Sequence, residues 1–152
     1  MIHLNRLPLA VLLGALVGAN ALAGEQVGMV KTVRGQVSIE RGSERMPAIV
    51  GVPLQQNDRV RTGDNASVGV TLRDNTLLSA GPRSLIVIDK FAYDSTTNVG
   101  AMSVGIRRGT LAVATGKIAK ATPESVDFHT PTSVLGVRGT EFVVEVDGGS
   151  DE

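Results

Sequence analysis

From residue 24 onward, turn-forming residues recur so often that no stretch is left for a long helix. Glycine, proline and Asn-Asp or Asp-Asn pairs cut the chain into apolar runs of strand length, and β-branched residues fill the apolar positions. Gly, Asn and Asp reach the backbone angles that turns need, while Val, Ile and Thr fit a pleated surface. The expectation is therefore all-β: a single domain of many short strands, forming a twisted sandwich or a β-solenoid-like sheet. No fixed repeat emerges, so a regular solenoid array is not implied.

Residues 29–34 and 36–41 flank Gly35 and read as a first hairpin. Residues 46–50 follow, then Gly51-Val52-Pro53-Leu54 as an irregular link and residues 59–62 as a further strand. Ala66, Val68, Val70 and Leu72 alternate with Ser67, Gly69 and Thr71, the pattern of a strand buried on one face. Arg73-Asp74-Asn75-Thr76 reads as a tight turn, since Asp and Asn tolerate the left-handed region. Residues 77–80 and 84–91 bracket Gly81-Pro82, and the unbroken apolar run Leu85-Ile86-Val87-Ile88 suits a strand covered on both faces. Met102, Val104 and Ile106 share a face ahead of Arg107-Arg108-Gly109, with residues 110–114 as the next strand. Residues 116–123 are the least patterned and read as a mobile loop. Residues 125–129 and 132–137 lead through Val137-Arg138-Gly139-Thr140-Glu141-Phe142 into a last strand, 140–146. There Gly139 permits a sharp turn; Phe142, Val144 and Val146 face one way, and Glu141, Val143 and Glu145 the other.

The N-terminus has a different character. Arg6 precedes the nearly continuous apolar residues 7–17, and Ala21-Leu22-Ala23 offers a small-x-small cleavage pattern. Residues 1–23 thus read as a secretory signal peptide, removed near Ala23. The apolar stretch is short against the ~20 residues of a membrane span, which favours cleavage over a retained anchor. Residues 24–147 are then the all-β domain and 148–152 a flexible acidic tail, in a periplasmic or secreted protein with no membrane span in its mature chain. With 15 basic and 15 acidic residues interspersed, the chain carries no electrostatic footprint for nucleic acid or anionic lipid. It has no cysteine, so neither disulfides nor a cysteine-linked lipid anchor are expected.

The inventory for catalysis is thin. His129 is the only histidine after the signal; Asp127, two residues away on the same strand face, is its candidate partner for proton transfer, but a structural or solvent-facing histidine is the favoured reading. One histidine and no cysteine do not make a transition-metal site, and Asp147 and Asp151 read as parts of a solvated tail. Gly116-Lys117 is no phosphate loop, because Leu111 stands where glycine is required and Ile118 where Ser or Thr is required. No serine sits in a Gly-x-Ser-x-Gly elbow. An enzyme is not expected, and no cofactor. Arginines at strand ends and turns (Arg59, Arg61, Arg73, Arg107, Arg108, Arg138) form a candidate rim for acidic partner groups, the alternative being ordinary solubility. Phe91 and Tyr93 share a strand face and could line a small groove, although the low aromatic content argues against a carbohydrate platform.

Five motifs in order resemble the FecR domain family. They are Leu54-Gln55-Gln56-Asn57-Asp58-Arg59-Val60-Arg61-Thr62-Gly63, Leu72-Arg73-Asp74-Asn75-Thr76, Arg108-Gly109-Thr110-Leu111, Phe128-His129-Thr130-Pro131 and Val137 to Phe142. Asn75 stands where the family usually has glycine. The resemblance covers approximately Val27 to Val146 and implies an all-β extracytoplasmic domain, often with a role in signal relay. Family regulators place this domain after a cytoplasmic anti-sigma segment and a transmembrane helix, and it receives its signal from an outer-membrane transporter. Here the expected signal peptide takes the place of both, so anti-sigma regulation is not carried over. The resemblance leaves a free-standing interaction or scaffold module with an envelope protein as partner; a cell-wall glycan or envelope polysaccharide is the alternative ligand. Arg138 is expected either to recognise the partner or to satisfy turn carbonyls.

Overall fold

The computed structural model describes residues 24–137 and 141–148. The proposed signal peptide, Arg138, Gly139, Thr140 and tail residues 149–152 lie outside the described residues.

The described chain is one curled sheet. Its strands are β1 (Gln26–Arg34), β2 (Val37–Arg41), β3 (Glu44–Pro47), β4 (Pro53–Gln55), β5 (Arg59–Thr62), β6 (Ser67–Leu72), β7 (Leu77–Ala80), β8 (Leu85–Tyr93), β9 (Gly100–Ala114), β10 (Val126–His129), β11 (Val134–Gly136) and β12 (Glu141–Val146). Neighbours run β3-β2-β5-β8-β9-β7-β6-β1-β4. The first half of β9 also pairs with β10, which pairs with β11, and the second half pairs with β12. All pairings are antiparallel except β9 with β10.

The strand expected to end near Gly109 and the one expected at 110–114 are a single 15-residue strand, β9, and it joins the two halves of the sheet. Gly109 makes the bend, with φ of +88°. A Cβ there would lie 2.1 Å from Ser84 Oγ. With no side chain in the way, Ser84 approaches and its Oγ accepts a 3.0 Å bond from the Thr110 amide. Across the interior, Val60, Ile86 and Ile88 of one half face Val68, Val70, Leu78 and Leu111 of the other around a void of only about 10 Å³. Each fully buried aliphatic side chain contributes on the order of 2 kcal/mol of hydrophobic driving force before its entropy cost.

Several expected strands appear within a residue or two, among them β5, β6 and β7. Leu85 to Ile88 are all buried, as a strand covered on both faces requires. Asn75 takes φ of +68°. Other expectations are corrected. Gly35 does not close a hairpin: β1 pairs with β4 and β6, whereas β2 pairs with β3 and β5. The chain changes sheet half at this glycine. Pro53 and Leu54 belong to β4, which borders β1. The supposed loop at 116–123 contains α1 (Lys117–Ala121) and the start of a 3₁₀ turn, Pro123–Ser125. Five residues do not sustain a helix alone. Buried Asp74 holds α1 from outside, accepting at its carbonyl from the Lys117 amide and at Oδ2 from the Ile118 amide.

The same device recurs at Asp58, fully buried, whose carboxylate takes two bonds from Arg41, at 2.9 and 2.7 Å, and a third from the Gln55 amide. Its hydrogen bonds hold the Arg41 pKa above the ordinary range.

Gly109→Ala should cost about 2 kcal/mol, from backbone strain and collision with Ser84; chemical denaturation measures it. Arg61 donates a 2.9 Å bond to Glu40 and holds that carboxyl below the usual glutamate range. The folded state therefore binds its proton later than the unfolded chain does. This stabilisation is present above the unfolded value and is lost as pH falls through the lowered one. Melting curves across the acid range should fall less steeply for Glu40→Gln than for the wild type.

Candidate functional site

β9 places two short elements beside each other at the free margins of the sheet. Among the described residues β11 pairs only with β10, and β12 only with β9. Between them lies an open groove of about 880 Å³, bordered by the Thr130 to Ser133 turn on one side and β12 on the other. Its cationic lining comes from Arg59 on β5 and from Arg107 and Arg108 on β9, with Leu85 as an apolar patch. Arg59 and Arg107 are exposed and make no hydrogen bond or close ion pair among the described residues, although Arg59 stands opposite Glu40 on β2 and helps to lower its pKa. Glu145 and Asp147 border the same groove without pairing with them.

β12 is an amphipathic edge. Val144 is buried, and Phe142 packs edge-to-face on fully buried Phe128 with ring centroids 5.0 Å apart. On the other face Val143 is 67 % exposed between exposed Glu141 and Glu145, matching the alternation expected from the sequence. The neighbouring hairpin adds Val134, 75 % exposed.

That hairpin is anchored by a contact the sequence did not indicate. His129 Nε2 lies 2.7 Å from Asp89 Oδ2 on β8, reaching across Gly105 of β9. A Cβ on Gly105 would sit 2.8 Å from the imidazole and 2.9 Å from the carboxylate, so the glycine leaves room for the pair. Asp127, the candidate partner for His129 had it moved protons, instead accepts a 2.8 Å bond from Ser103, and the histidine has a structural contact, the favoured reading. A bulge between Ile88 and Lys90 places Asp89 where it meets His129, and such a bulge has no signal in the local sequence.

The remaining candidate residues separate. Arg73 pairs with Glu25 at 2.5 Å and is not part of the groove. Phe91 is 6 % exposed and belongs to the core, so the expected aromatic groove with Tyr93 does not form. Tyr93 is half-buried and donates its hydroxyl proton to Asn98 at 2.8 Å. Arg138, Gly139 and Thr140 lie outside the described residues. No group of three or more His, Cys, Asp or Glu among the described residues could hold a metal ion. No helix among them is long and apolar enough to cross a membrane.

Fold and site together define an all-β module with two open strand edges flanking a cationic groove. The family model described as FecR protein matches residues 58–152, and the chain belongs to this family. Membership supports a signalling or regulatory module. No curated protein and no solved structure matches the chain. Within the matched span the family motifs serve as structural pins. Asp58 and Asp74 are buried and hydrogen-bonded, and Thr62 accepts from the Ser84 amide at 2.8 Å while its hydroxyl donates to Gly81 at 2.6 Å.

His129→Gln should leave the melting temperature within a few degrees, because one part-exposed contact contributes roughly 1 kcal/mol. Amide hydrogen exchange across β10 and β11 should accelerate severalfold, with little change in β6 or β7.

Proposed function

We propose that this chain is an extracytoplasmic, non-catalytic interaction module of a FecR-type signalling system, and that it holds an envelope protein through the open edge of β12. One observation carries the reading: among the described residues β12 pairs only with β9, and Val143 stands exposed beside its other edge. A strand added there would form main-chain hydrogen bonds to the unpaired edge, with alternate side chains supplying selectivity. Family membership supports a signalling role, and the N-terminal sequence pattern supports export to the periplasm.

A photo-crosslinking residue in place of Val143, in the full chain in living cells, should give one dominant adduct with an envelope protein. The same residue in place of Ile49, exposed on the turn between β3 and β4, should not give that adduct. Glycan-linked material, or identical products from both positions, would overturn the reading. N-terminal sequencing of the native protein should begin near Gly24; a start at Met1 would overturn export.

A further inference from the structure

We propose that the groove between β11 and β12 receives an extended segment of the partner protein whose floor-facing side chains are carboxylates. The inference rests on the edge-binding reading above and adds the chemistry of the occupant. Arg59 and Arg107 come from different strands, are both exposed, and line one groove with their guanidinium groups in no hydrogen bond or close ion pair among the described residues; Arg59 feels only the charge of Glu40, opposite it on β2. Guanidinium groups present forked donors that match carboxylates, and a pair of them beside an open strand edge selects for acidic side chains on a docked strand.

Glu145 and Asp147 border the same groove as the arginines, so the strand period of an occupant decides which of its side chains meet which charge. Side chains of an added strand alternate, one set turning toward the arginines and the other lying beside the outward row Glu141, Val143 and Glu145. The first set carries the carboxylates. The second is apolar or basic, because further acids beside Glu141 and Glu145 would repel.

The same row argues against a second copy of this chain as occupant. Antiparallel self-pairing of β12 about Val143 would set Glu141 of one copy directly opposite Glu145 of the other, and like charges at that spacing are destabilising. Charged residues on an edge strand are a common guard against self-association. An acidic polysaccharide would satisfy the arginines but would make no use of the main-chain edge of β12.

The test uses the full chain and two capped eight-residue peptides, one alternating glutamate with threonine and one alternating glutamine with threonine. Binding is read by NMR titration of the β12 amides and the arginine Nε–H signals. The glutamate peptide should shift both sets and bind at least tenfold more tightly than the glutamine peptide. Arg59→Gln with Arg107→Gln should abolish that preference while leaving the melting temperature unchanged. Equal binding of the two peptides, or binding of neither, would overturn the acidic assignment. A polygalacturonate oligomer that shifts the arginine signals more strongly than the glutamate peptide, with the β12 amides unmoved, would overturn it in favour of a glycan. If crosslinking from position 143 still captures the envelope protein in the double arginine variant, with undiminished yield, the edge-binding reading survives and only the acidic assignment fails.

Discussion

The bend in β9 at Gly109 is the constraint on which the rest of the molecule depends. One strand, Gly100–Ala114, serves both halves of the sheet: its first part carries β8 and β10, its second part β7 and β12. Bending the continuous strand at a glycine lets its two parts serve the two halves, whose aliphatic side chains meet across the core. The close approach of Ser84, which a side chain at Gly109 would block, stitches β8 to the strand at the corner itself. With one bend holding two sheet halves, the margins of both halves lie near each other, and the groove is the space between these margins.

A chain with no disulfide and few aromatics holds this arrangement by aliphatic packing and by buried carboxylates that act as pins. Asp58 and Asp74 each accept from a neighbouring residue, Gln55 and Thr76, and from one distant in sequence, Arg41 and Ile118. An ionised carboxylate is costly to bury unless its hydrogen bonds are complete, and when they are complete it specifies which segments meet. The residues of the family motifs are largely these pins, together with the glycines and turn residues around them. The groove arginines Arg59, which lies within the first of these motifs, and Arg107 are a different kind of residue: exposed, on paired strands, and in no hydrogen bond or close ion pair among the described residues. This division separates the part of the sequence that makes the fold from the part available for recognition.

The acidic outward row of β12 gives the open edge two properties at once. Glu141 and Glu145 disfavour self-pairing, which keeps an exposed strand from acting as an aggregation template. They leave Val143 as an apolar contact between two charges, a pattern that a complementary strand can match and a copy of the same strand cannot.

Much of the fold was legible in residues whose surroundings are local. The alternation of Ala66 to Leu72, the apolar run Leu85 to Ile88, the left-handed Asn75 and the two faces of β12 all follow from the two-residue period of a strand or from turn chemistry. The candidate site was legible only in part: Arg59, Arg107 and Arg108 were marked as candidates and line the groove, whereas Phe91 belongs to the core and Arg73 to an ion pair elsewhere. The class of the protein follows from the chain alone, because strand periodicity, turn residues and motif order depend on neighbours a few positions away. Tertiary structure alone decided the partners. Gly35 changes sheet half instead of closing a hairpin, α1 exists because distant Asp74 caps it, and His129 meets Asp89 rather than Asp127. Arg59 joins Arg107 because a sheet brings β5 and β9 to either side of β8. Each of these contacts spans residues far apart in the chain, and only the closing of the curled sheet sets their distances.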